Sequence, residues 1–92
     1  MNESETRLVA AAQMTSTADV SRNLTRAAAL VREAVGRGAT LVGLPENVAY
    51  MGTEAGKRAV AEDFVVGEAP AGDAIGAAMR AVAAESGAWV LW

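Results

Sequence analysis

Glu46 is the residue of this sequence best placed to do chemistry. It stands in Leu44-Pro45-Glu46-Asn47, where an apolar run meets a proline. Proline cannot donate to a sheet ladder and keeps the residue before it extended, so the run ends there with the carboxylate at its lip. With Leu44, Val48 and Tyr50 as neighbours, the carboxylate is expected to be partly desolvated. Desolvation raises a carboxyl pKa toward neutrality and suits Glu46 to accept a proton, for example from a thiol. Read alone, the four residues fit an ordinary strand ending in a turn, since Pro and Asn are common turn residues. Asn47 and Tyr50 are the candidates to line a substrate pocket beside Glu46. Gln13 could bond backbone or substrate and Met51 could border the pocket, but buried amides more often satisfy nearby peptide groups. The sequence has no His and no Cys. A Ser-His-Asp triad, a Cys-His pair, a conventional zinc site and disulfides are therefore excluded within these residues.

The elements that must position these residues follow from apolar spacing. Arg7 to Met14, RLVAAAQM, is a nearly continuous apolar run, expected as a strand buried on both faces. Over Ser16 to Arg37, Val20, Leu24, Ala27, Ala28, Val31, Ala34 and Val35 recur on one stripe of a helix, with Arg22, Arg26, Arg32, Glu33 and Arg37 mostly off it. Thr17 or Asp19 can cap its start, and Gly36 or Gly38 can end it. Ala39 to Leu44 is the second strand, so strand, helix and strand make a βαβ unit and a mainly parallel sheet. Glu46 to Ala71, with Gly52, Gly56, Gly67 and Pro70, reads as a loop holding a short helix near Glu54 to Glu62. Ile75, Met79, Val82 and Ser86 share a face of another helix, capped by Asp73 and ended by Gly87. Ala88 to Trp92 reads as a third buried strand, with Trp89 and Trp92 in the core. In open α/β sheets, ligands collect beyond the carboxyl ends of strands, which selects Gln13 to Ser16 and Glu46 to Tyr50.

The 92 residues suffice for one small domain; 52% are hydrophobic and 21% charged, a folding composition. The net charge of -3, with scattered basic residues, gives no footprint for nucleic acid or an anionic membrane. No apolar run reaches the roughly 20 residues that span a bilayer, and Met1 to Arg7 is too polar for a signal peptide. A cytoplasmic protein is expected.

In order, the sequence presents VAAAQM, a helix ending REAVGRGA, then LVGLPENVAYMG, then a helix ending ESGAWV. This order and spacing resemble the start of carbon-nitrogen hydrolases of the nitrilase superfamily, especially the Nit-type amidase branch. The likeness covers nearly the whole chain after the first few residues. It implies an α-β-β-α sandwich and a Glu-Lys-Cys triad, in which Glu46 matches the Glu. In that family the Glu is general base toward a Cys thiol, the thiolate attacks an amide or nitrile carbon, Lys stabilises the oxyanion, and water hydrolyses the thioester. The resemblance implies no metal or organic cofactor, a small-molecule amide substrate and a homo-oligomer. The family's Lys and Cys have no match here, and Lys57 reads as a solvated surface lysine.

Residues 1–6 are therefore expected to be a disordered N-terminus, and residues 7–92 an incomplete N-terminal portion of a carbon-nitrogen hydrolase domain, inactive alone. An apolar strand running into the terminus at Trp92 fits a truncation. A sheet made for a sandwich would leave apolar surface exposed. A nucleotide-binding βαβ unit would need a glycine-rich turn after the first strand, and QMTSTAD has no glycine. A partner-binding remnant without catalysis is the other reading.

Overall fold

A computed structural model describes residues 6–61 and 74–92. The order is β1 (Leu8–Ala11), α1 (Val20–Gly36), β2 (Ala39–Gly43), α2 (Glu54–Val60), α3 (Ala74–Ser86) and β3 (Trp89–Leu91). The fold is mixed α/β. The strands form one sheet in the order β1-β2-β3, with both pairings parallel. β2 is thus the middle strand, and the segment that leaves it is flanked by strands on both sides.

α1 begins at Val20, not Ser16, because its cap is Asp19, whose carboxylate accepts the Arg22 amide at 3.1 Å. An Asp19→Ala variant is expected to lose about 1 kcal/mol, the usual worth of such a cap, measured by urea denaturation. The helix ends where the chain turns left-handed at Gly38, φ 100°; Gly87, φ 71°, does the same after α3. A side chain is disfavoured in that conformation, which is why glycine closes both helices. α2 falls within the short helix expected after Glu46 and is capped by Thr53, whose hydroxyl accepts the Gly56 amide at 3.0 Å.

Both long helices cover the same face of the sheet. Val31 of α1, Val82 of α3, and Ala39 and Val42 of β2 are buried together, with Ala10 and Val90 packed against them. In register, Ala10, Val42 and Val90 lie side by side across the three strands. The alternate row, Val9, Leu41 and Trp89, points to the other face. There Val9 is 62% exposed, Trp89 77% and Leu91 56%. Three sequence expectations are corrected by this. The first strand is not buried on both faces and is shorter than Arg7 to Met14, and β3 is not a buried strand. Trp89 and Trp92 are exposed, not core. The reason is that helices cover one face only, and β1 and β3 are the edges of the sheet.

Arg32 of α1 and Glu85 of α3 form a two-pronged surface pair, at 3.3 and 3.1 Å. Glu85 holds the Arg32 guanidinium above its ordinary pKa through that hydrogen bond and its charge. Both groups are more than half exposed, so solvent screens the pair and it adds little to stability. No helix among the described residues is long and apolar enough to cross a membrane. The expected disorder of residues 1–6 falls outside the described residues except for Thr6, and so do the Asp73 cap and the glycine and proline at 67 and 70.

Candidate active site

The middle strand delivers Glu46. After β2 the ladder continues one step further, with the Leu44 amide donating to the Leu91 carbonyl at 2.8 Å. Pro45 then breaks it, and the chain reverses in a turn closed by the Val48 amide on the Pro45 carbonyl at 3.2 Å. Glu46 and Asn47 are the two central residues of that turn. A proline that supplies only its carbonyl fits here, since the position needs an acceptor and no donor.

Beyond the turn, Val48 is driven into the core. It is 2% exposed and packs with Ala27 of α1 and Met79 of α3, with Leu24, Leu44 and Ala78 around them. Burying a valine side chain is worth about 1.5–3 kcal/mol, enough to hold the far side of the turn against the helix layer. Glu46 is therefore fixed at its backbone on one side by the sheet and on the other by a buried side chain. Its own side chain is exposed. The expectation that apolar neighbours withdraw this carboxylate from water is corrected: Val48 turns inward and leaves the carboxylate on the surface. Asn47 is half-buried.

Tyr50, half-buried, is seated against α2. Its phenol fills the space in which side chains at Gly52 and Gly56 would stand. Gly56→Ala is therefore expected to expel the Tyr50 ring even though alanine is the better helix former. Tyr50 is the sole tyrosine of the chain, so its ring resonances report this directly: they should move toward free-tyrosine positions. Unmoved resonances would mean that the ring is not seated between these glycines.

The two loops at the carboxyl ends of β1 and β2 are laced together. The Ser16 hydroxyl donates to the Val48 carbonyl at 3.2 Å, and the Met51 amide to the Thr17 carbonyl at 3.0 Å. Between them lies Asn23 of α1, 1% exposed. Its Oδ1 accepts the Thr17 amide at 2.9 Å and the Thr17 hydroxyl at 3.0 Å; its Nδ2 donates to the carbonyls of Thr17 at 2.7 Å and Ala49 at 2.8 Å. Sequence reading passed over this residue. The available signal was its place on the row Asn23, Ala27, Val31, spaced by four, where a polar side chain points into the core.

Gln13 lies beyond β1 and is exposed. It borders a groove of about 700 Å³ between the β1–α1 connection and Arg22, Asn23 and Arg26, which Glu46, Asn47 and Tyr50 do not line. Lys57 is exposed on α2, as a solvated lysine should be. Among the described residues no three His, Cys, Asp or Glu side chains come together as a metal site. The arrangement can present one carboxylate, on a fixed turn, at the carboxyl edge of a parallel sheet.

The family described as "Carbon-nitrogen hydrolase" matches residues 8–92. Deaminated glutathione amidase from two strains of Synechocystis sp. is 52% identical over 50 residues, which is 54% of this chain and 18% of the relative. The matched stretch is thus less than a fifth of those relatives' length. No solved structure matches the chain.

Proposed function

The chain belongs to the carbon-nitrogen hydrolase family, and from that premise we propose that it supplies the general base, Glu46, of an amidase acting on a small linear amide. The triad is Glu-Lys-Cys, with Lys and Cys contributed from outside these 92 residues, which contain no Cys. The Glu46 carboxylate takes the thiol proton, and the thiolate adds to the amide carbon. The oxyanion so formed is stabilised by the Lys ammonium. Collapse breaks the carbon-nitrogen bond, Glu46 returns the proton to the departing amine, and a thioester remains. Glu46 then takes a proton from water as it attacks the thioester, and the acid leaves with the thiol restored. The bond cleaved is a non-peptide carbon-nitrogen bond, no cofactor takes part, and the working enzyme is a homo-oligomer in the cytoplasm.

The observation that carries this reading is the position of Glu46: a carboxylate on a turn tied down at both ends, directly after the middle strand of a parallel sheet. Ligand sites of such sheets lie at that edge. Its exposure in these residues fits a base whose cover, nucleophile and oxyanion donor come from other segments. A partner-binding remnant would place no requirement on this turn. The encoding gene tests the proposal: read in frame past the codon for Trp92, it is expected to specify a Lys and then a Cys at the ends of later strands. A stop codon at that point would overturn it.

A further inference from the structure

Asn23 is the one buried polar residue among those described, and its amide is fully engaged. Burying an amide is costly unless each polar atom finds a partner. Here the partners also fix its orientation. The Thr17 amide can only donate, so it must face Oδ1; the Thr17 and Ala49 carbonyls can only accept, so they must face Nδ2. A rotated amide would set two donors against each other and two acceptors against each other. As a helix former asparagine is mediocre, and an apolar residue would pack as well beside Ala27 and Val31. What the amide adds is a connection between three separate pieces of chain: α1, the loop after β1 at Thr17, and the loop after β2 at Ala49.

We infer that Asn23 is a positioning residue for Glu46. Ala49 lies three residues after Glu46, and the Nδ2 bond holds it just beyond the Pro45–Val48 turn. The Ser16–Val48 and Thr17–Met51 bonds depend on the same loop after β1, whose shape Asn23 sets by holding Thr17 through three contacts. Val48 supplies burial, which is not directional; Asn23 supplies direction. A general base must sit within a fraction of an ångström of its productive place, so loosening this clamp would reach the carboxylate without touching it. The catalytic meaning of the clamp rests on the reading of Glu46 as the base. The clamp itself does not, and it is tested without turnover.

The test is amide hydrogen exchange on the 92-residue chain. Asn23→Leu keeps the side chain's size and removes its amide. It is expected to raise exchange at Val48 and Met51 by about tenfold relative to the amides of α1 and β2, as local opening does. Ala34→Gly, on the same helix but packed in the cluster of Val31 and Val42 and not in that of Val48, weakens α1 and should raise all three regions alike. If Asn23→Leu changes Val48 and Met51 no more than the rest, the proposal is wrong. Should that variant fail to fold, Asn23→Asp gives a second reading. Ionised, it sets a carboxylate against two carbonyls; acidification protonates it and restores one donor. Relative protection of Val48 and Met51 should then recover as pH falls, and no recovery would equally overturn the role.

Discussion

Glu46→Gln, in an enzyme completed with the strands proposed to carry the Lys and Cys, is expected to lower kcat by about 10²- to 10⁴-fold, the usual contribution of a positioned acid or base. Glutamine keeps the shape of the side chain and cannot take a proton from the thiol. Stability should not follow activity. The Glu46 side chain is exposed and makes no hydrogen bond or ion pair among the described residues, so the unfolding midpoint should move by no more than surface substitutions do, within about 0.5 kcal/mol. Steady-state kinetics and a denaturation curve on one preparation separate the two effects. A kcat within twofold of the parent would remove Glu46 from the mechanism.

Trp89→Ala should have opposite consequences in two settings. In the 92-residue chain Trp89 is 77% exposed, in a row with Val9 and Leu41 on the uncovered side of the sheet. Contiguous apolar surface of this kind promotes self-association and dye binding. The substitution is expected to leave the stability of the chain nearly unchanged and to reduce binding of an apolar dye. In the completed enzyme, a second sheet over this face, the sandwich that the family resemblance implies, is expected to bury the same indole. Its removal there should cost on the order of 3–5 kcal/mol, as for other buried Trp to Ala changes. Denaturation of both forms gives the comparison. An equally small change in both would mean that this face stays uncovered in the whole protein.

Much of this organisation was legible in the residues. The α1 stripe, the Pro45 stop, the glycine ends of α1 and α3 and the short helix after Glu46 are all local, set by spacing of a few residues and by backbone chemistry that proline and glycine announce. The burial of β1 and β3 was not. Apolar runs such as LVAA and WVL read as buried strands, but burial depends on what lies over each face, and that is decided by segments far apart in sequence. The exposure of Glu46 was missed for a related reason. Leu44, Val48 and Tyr50 are its sequence neighbours, yet Val48 turns into the helix layer and Tyr50 toward Gly52 and Gly56. The row Asn23, Ala27, Val31 could mark Asn23 as inward-facing, but its partners, Thr17 and Ala49, 6 and 26 residues away, are not given by that spacing.

The most direct measurement puts residues 8–92, the span that matches the family, in place of the corresponding N-terminal segment of the Synechocystis deaminated glutathione amidase and follows hydrolysis of deaminated glutathione by separating the acid and amine products. The account predicts that the chimera turns over and that Glu46→Gln stops it while the protein stays folded. A folded chimera without turnover, or one whose turnover survives Glu46→Gln, would contradict the claim that this chain delivers the general base of a carbon-nitrogen hydrolase.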